Sequence, residues 1–338
     1  MNKLSECILN KNSDYLPVWF MRQAGRYLPE FREIRRNNQD FIKLCLNPKL
    51  VKEITMQPLM RFDLDAAIIF SDILILPFGL GQHVQFKKGE GPILGDLEIN
   101  KILKNKKKDF VDKVKPVYEG ISNVKKNIKD KNVIGFVGAP WTLMVYMLNK
   151  KSPKKDFDLS VIIKDKVLIK ELLTKLEETI CLHIDQQIES GADVIQIFDS
   201  WAGLLPKNEL KKYCFEPTKK IVQHVKEKKV PVICFPRGIG KNYKDFCSIV
   251  EPSCISIDYD TDPRWARDNL KEIPIQGGLD PKILLNEKEI IKKEVENYIN
   301  VFLGYPYIFN LGHGVLPETK PEAIEYVMSL IRRKKNGK

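Results

Sequence analysis

Short apolar runs of four to six residues alternate along this chain with longer stretches in which apolar positions recur every three or four residues. The first pattern predicts buried strands and the second amphipathic helices. Strands are expected at Val18–Met21, Ala66–Phe70, Val133–Val137, Val194–Phe198, Val230–Phe235, Cys254–Ile257, Ile273–Gln276 and Tyr307–Asn310. Helical periodicity covers Lys49–Arg61, Lys166–Ser190, Lys207–Lys229, Lys241–Val250, Ala266–Lys271 and Pro281–Leu303, with a last helix from Pro321 to Arg333. Asn47-Pro48 and Asp280-Pro281 read as helix starts, because Pro suits the first turn and the residue before it can cap.

Strands apolar on both faces belong to parallel sheets covered by helices. Strand-helix units repeating without a Gly/Ser-rich linker predict an α/β chain whose residues 1–338 form a single (β/α)8 TIM barrel. A doubly wound sheet is the alternative, but no GxGxxG follows the first strand. Loop insertions are expected near 78–93, where Gly79, Gly81, Gly89 and Gly91 suggest a hairpin or loop over the barrel mouth, and near 101–131, a charged and mostly helical stretch. Gly238-Ile-Gly240-Lys241 imitates a phosphate loop and fails as one, with Phe235 where the first Gly belongs and Asn242 in place of Ser/Thr.

With 43% hydrophobic and 30% charged residues, the chain has the composition of a globular protein with a large core. The most apolar stretch, Ala66 to Leu80, is broken by Asp72, so no membrane association is expected. Lys11, Asn12 and Asp14 interrupt any signal-peptide core. Seven cysteines without CxxC spacing predict free thiols and a cytoplasmic location. The net charge of +12 comes from spread lysines, with local runs at Lys104–Lys108, Lys125–Lys131 and the tail Arg332–Lys338. Those runs lack interleaved aromatics, so no nucleic-acid partner is expected.

Active sites of such barrels lie at the C-terminal strand ends. The residues just past the expected strands are Arg22, Asp72, Pro140-Trp141, Asp199-Ser200, Arg237, Asp258, Asp280 and His313. Asp280 reads as a helix cap, and Asp258 and Asp262 as turn residues. Asp72 stands out, because an ionised carboxylate inside Ile68–Pro77 is costly unless donors surround it. Its structural alternative is a buried partner for an arginine. Arg22 and Arg26 bracket Gly25, and guanidinium forks grip carboxylate oxygens two at a time. His313 lies between two glycines that clear space beside the imidazole. The four histidines show no HxH, HxxxH or Cys-paired spacing, so no metal is expected, and no GxSxG is present.

Arg22-Gln-Ala-Gly-Arg26-Tyr-Leu-Pro, Phe70-Ser-Asp72-Ile, Gly138-Ala-Pro-Trp-Thr-Leu-Met144 with Tyr146, Phe198-Asp-Ser200-Trp-Ala-Gly203, Gly277-Gly-Leu-Asp-Pro281 and Asn310-Leu-Gly-His313-Gly occur in the order found in uroporphyrinogen decarboxylases. The chain resembles that family over essentially its whole length. The resemblance implies a (β/α)8 barrel, usually a homodimer, that needs no cofactor. It implies removal of carboxyl groups from the four acetate arms of uroporphyrinogen III, giving coproporphyrinogen III on the route to haem. It also implies catalytic roles for Asp72 and Arg22 and substrate contacts from Arg22, Gln23, Ala24, Gly25, Arg26, Asp72, Tyr146, Ser200 and His313. Phe198 is expected to pack on the macrocycle. Related barrels that transfer methyl groups usually carry His and Cys zinc ligands, and no such set occurs here.

Overall fold

The computed structural model describes residues 2–87, 89–154 and 157–333. In chain order the strands are β1 (Ala66–Ile68), a hairpin of β2 (Val84–Lys87) and β3 (Gly91–Leu94), then β4 (Asn132–Gly138), β5 (Val194–Asp199), β6 (Val232–Pro236), β7 (Cys254–Ile257), β8 (Ile275–Gly277) and β9 (Tyr307–Ile308). Setting the hairpin aside, the other seven form one parallel sheet in the order β1, β4, β5, β6, β7, β8, β9. Helices follow the strands and cover the outside, as expected for a barrel.

The expected strand at Val18–Met21 closes the ring by a single bridge, Val18 to Phe309. Phe309 N donates to Pro17 O at 2.8 Å, and on the other side Asp65 N donates to Val18 O at 2.9 Å. No ladder extends from there because side chains take its place. Val18 N donates to Asp65 Oδ2 (2.8 Å), Phe20 N to Gln23 Oε1 (3.0 Å) and Met21 N to Asn310 Oδ1 (2.9 Å). Gln23 Nε2 reaches across to Ala66 O at 3.0 Å. Every such bond replaces a strand-strand bond that the buried backbone requires. Arg332, read from sequence as part of a basic tail, belongs to this seam: Nη2 donates to the buried Asp65 Oδ2 at 2.6 Å. Residues 334–338 of that tail lie outside the described residues.

Inside the ring, Trp19, Ile68, Ile134, Val194, Ile233, Cys254 and Ile308 form a buried apolar cluster with Leu4, Cys7 and Ile8 of the helix Lys3–Leu9. That helix stoppers the N-terminal end, where Asn132 Oδ1 accepts Ser5 N at 3.4 Å. Midway, Trp19 Nε1 donates to Gln276 Oε1 at 2.8 Å, and Gln276 Nε2 donates to Gln196 Oε1 at 3.1 Å. Towards the other end the partly exposed Phe136 and Phe198 finish the column. A second, larger apolar shell separates sheet from helices.

The region near 78–93 begins with the end of a short helix, Ile75–Leu80, and continues into an antiparallel hairpin paired from Val84↔Leu94 to Lys87↔Gly91. The charged stretch near 101–131 is helical over Lys107–Lys125. It buries Phe110, Val114, Val117 and Ile121 and packs on the helix Pro48–Arg61, so it serves as a covering helix of the barrel. Among the described residues no helix is long and apolar enough to cross a membrane.

Candidate active site

Alternation along each strand decides which side chains enter the mouth at the C-terminal ends. In β5, Val194 and Phe198 join the interior cluster while Ile195 and Ile197 face the helices. Asp199 continues the outer phase and Ser200 the inner one. Asp199 is accordingly buried beneath the helix Pro140–Asn149, where Thr142 Oγ1 donates to its Oδ1 at 2.6 Å. The same hydroxyl accepts Trp201 N at 3.0 Å, which fixes the turn carrying the half-buried Ser200. Burial pushes Asp199 up to about 6. Asp258, buried at the end of β7, accepts Gly238 N (2.7 Å) and Thr261 Oγ1 (2.8 Å), and Asp280 caps the following helix through Lys282 N. Both are structural, as expected.

Asp72 follows β1 on a turn. Leu74 N donates to its Oδ1 at 2.9 Å and Ile75 N to its backbone O at 3.1 Å. The carboxylate keeps some solvent contact while protein crowds it on every side, as at the foot of a well. Burial raises its pKa from 3.8 to about 6, against the opposing pull of the Leu74 N–H and the Arg22 charge. Arg22 acts through space, since among the described residues the two make no ion pair.

Arg22 is exposed and has φ +60°, a left-handed conformation that costs a side-chain-bearing residue about 1 kcal/mol or more. Its neighbours hold it there. Val315 N donates to Met21 O at 2.8 Å, and Met21 N is tied to Asn310. Gly314 supplies the room, since a Cβ there would stand 2.7 Å from Arg22 Cγ. A Cβ on Gly25 would stand 2.8 Å from Arg22 O. Further along, the Tyr27 hydroxyl donates to Gln23 O at 2.8 Å, and Arg32 Nη1 donates to Arg26 O and Tyr27 O, both at 3.0 Å. Arg32 therefore anchors the loop. Gln23 is wholly buried, with its amide spent on Phe20 and Ala66 and its N–H on Phe20 O at 2.9 Å, so it shapes the loop from beneath. The N–H groups of Ala24 and Gly25 have no hydrogen-bond partner among the described residues.

Tyr146 projects from the helix Pro140–Asn149 with its ring 5.9 Å from that of Trp201. Burial raises its phenol pKa, hydrogen bonding to Ser152 opposes this, and the Asp72 charge (raising), hydrogen bonding to Trp201 (lowering) and the Arg22 charge (lowering) follow, so both charges lie within reach of the phenol. His313 is pushed down to about 4, first by burial and then by Arg22 and Arg237. The charge of Arg22 thus bears on Asp72, Tyr146 and His313, and Ser200 adjoins Tyr146 through Trp201. Arg26 is exposed on the Arg22 loop and lies near Arg35.

Three further groups lie near this region; the sequence places Arg237 at a strand exit without giving it a role, and marks neither Tyr259 nor Arg35. Arg237 follows β6, and its Nη2 donates to the Tyr259 hydroxyl at 3.3 Å. Tyr259 lies in a turn-rich stretch where no pattern marked it. Arg35, in the helix Pro29–Asn37, places its guanidinium 5.3 Å from the Phe41 ring centroid, and its charge reaches Cys45, as does that of Asp72. Among the described residues no three His, Cys, Asp or Glu side chains converge to hold a metal ion.

The sequence profile of the family described as uroporphyrinogen decarboxylase (URO-D) matches residues 1–334. A protein named uroporphyrinogen decarboxylase from Rickettsia bellii is 43% identical over 325 residues, covering 94% of each chain. One of the same name from Rickettsia akari is 42% identical over 337 residues, covering 98% of this chain and 99% of its own. Among solved structures, a methyltransferase from Methanosarcina mazei superposes with a TM-score of 0.77 at 14% identity, covering 98% of this chain and 97% of its own. At that identity the likeness speaks for the barrel alone. The ordered motifs, the ring of strands and relatives this similar over nearly full length agree, and the chain belongs to the uroporphyrinogen decarboxylase family.

Proposed function

We propose that the barrel mouth converts the four acetate arms of uroporphyrinogen III to methyl groups, giving coproporphyrinogen III, with Asp72 and Arg22 at the centre of the chemistry. Family membership makes the chain a carboxy-lyase of porphyrin and haem biosynthesis. The observation that carries the assignment of roles is Asp72, a crowded carboxylate just past a strand end that feels the Arg22 charge, with its pKa at about 6.

An acetate arm on a neutral pyrrole loses CO2 slowly, because the electron pair left behind has nowhere to go. Protonation of the ring carbon beside the arm gives an iminium-like cation, which accepts that pair as the C–C bond breaks. The enamine-like product takes a second proton on the exposed methylene, and loss of the first proton restores the pyrrole. In net terms one proton replaces one CO2. Asp72, ionised at neutral pH, accepts the pyrrole N–H groups and stabilises the cation; fixed charge aimed at developing charge is usually the largest catalytic contribution. A cation beside Asp72 also relieves the carboxylate of its poor solvation.

Arg22 orients the reacting arm, and Arg26 with the Ala24 and Gly25 N–H groups binds other carboxylates. Gln23 sets the shape of that loop. Tyr146, Ser200 and the neutral His313 contact the arms, and Phe198 with Phe136 offers an apolar face to the macrocycle. A guanidinium is a poor acid at neutral pH, so a bound water or a substrate carboxyl is the better proton source. The chain acts without a cofactor, as a homodimer in the cytoplasm; its free thiols suit that compartment.

The test is anaerobic incubation with uroporphyrinogen III, followed by oxidation and separation of the porphyrins by carboxyl count. Coproporphyrin should accumulate with the unaltered chain and not with Asp72→Asn. Loss of signal from neither Arg22→Ala nor Asp72→Asn would exclude this site.

A further inference from the structure

We propose that Arg237 is a second carboxylate-binding fork, set across the barrel mouth from Arg22, where it grips an arm that is not reacting and so fixes which acetate lies over Asp72. The inference rests on reading the mouth as the tetrapyrrole site.

Arg237 directly follows β6, in which Ile233 and Phe235 belong to the interior cluster. The two-residue period of a strand carries Arg237 into the same phase, towards the mouth. Its backbone is held on both sides, with its N donating to Asp199 O at 3.1 Å and its O accepting Gly203 N at 2.9 Å. The guanidinium stands 5.9 Å from the Tyr259 ring centroid, with Nη2 bonded to the hydroxyl. Among the described residues no carboxylate lies within ion-pair distance of it. A half-buried guanidinium braced by a phenol and lacking a counter-ion presents spare N–H donors to a ligand. His313 marks the space between the two forks, because the charges of both Arg22 and Arg237 bear on its imidazole.

The substrate carries a carboxylate on every arm, so two arginines on one loop leave much of its charge unpaired. Held at one rim only, a flat macrocycle is free to pivot. A fork at the opposite rim removes that freedom, and after each CO2 loss it is the contact that must let go and re-form.

The experiment compares Arg237→Gln and Arg237→Lys with the unaltered chain under anaerobic turnover of uroporphyrinogen III, scoring KM, kcat and the share of partly decarboxylated intermediates. Arg237→Gln should raise KM about tenfold with kcat changed less than about threefold, and intermediates should make up a larger share of product. Arg237→Lys should fall between, because a point charge replaces a fork. KM and intermediate share within about twofold of the unaltered chain in both variants would overturn the inference. If circular dichroism shows the Gln variant unfolded, the Lys variant decides by the same criterion. Asp72→Asn is run alongside: if it turns over normally, the reading of the mouth falls and takes this inference with it. If it is inactive while both Arg237 variants behave normally, this inference alone falls.

Discussion

Replacing Asp72 by Asn removes one negative charge and little else, because the amide oxygen can still accept the Leu74 N–H that now bonds Oδ1 at 2.9 Å. A unit charge about 4 Å from a cationic ring is worth about 4 kcal/mol at an effective dielectric constant of about 20. That corresponds to a loss of about three orders of magnitude in kcat. Stability should move the other way. The folded protein holds this carboxyl at about 6 instead of 3.8, so its ionised form is penalised by folding. The penalty is about 3 kcal/mol at full burial, and about 1–3 kcal/mol once the partial solvent contact is allowed for. It is absent below about pH 4 and complete above about pH 6, so the Asn variant should melt a few degrees higher at pH 8 and no higher at pH 4. The assays are anaerobic turnover with porphyrin separation and thermal melts at the two pH values. Turnover within about tenfold of the unaltered chain, or clear destabilisation at pH 8, would refute the reasoning; the second result would mark Asp72 as a structural ion-pair partner.

Three further outcomes are expected. Gly314→Ala would push a methyl group into the aliphatic stem of Arg22 and should lower kcat/KM by about 10- to 100-fold, with the melting temperature changed by only a few degrees; unchanged kcat/KM would show that the placement of Arg22 is immaterial. His313, held at about 4 by burial and two guanidinium charges, should stay neutral at pH 6 in an NMR titration, and its contribution to stability should fade only as the pH drops from about 6.5 towards 4; a midpoint near 6.5 would contradict the buried placement. Gln23→Leu leaves Phe20 N and Ala66 O without their partners and should cost about 2–4 kcal/mol in denaturant unfolding, and a cost under about 1 kcal/mol would mean that water replaces both bonds.

Much of this was readable from sequence because apolar strands and their exits repeat regularly. The strands follow from period and order, as do the places of Asp72, Ser200 and His313 just past strand ends and of Arg22 just past the Val18–Met21 seam. Val18–Met21 was legible as apolar but not as a seam, because its hydrogen bonds run to side chains of Asp65, Gln23 and Asn310, which no local pattern couples to it. Arg332 looks like a solvated charge in a linear reading; its partner, the buried Asp65 carboxylate, is brought near only by the fold. The stretch holding Lys107–Lys125 was legible as helical but not as a wall of the barrel, because its many lysines mask the stripe that buries Phe110 and Val114. Tyr259 had no signal at all.

The amide of Gln23 has a consequence for motion. By pinning Phe20 to Ala66 it makes the arginine-bearing loop part of the stitching that keeps the barrel shut. Swinging that loop aside to admit a large, rigid ligand would unfasten the first stave from its neighbour. On the proposed reading of the mouth, passage of a ligand would fall to other parts of the rim, while the backbone that carries Arg22 and Arg26 stays in place.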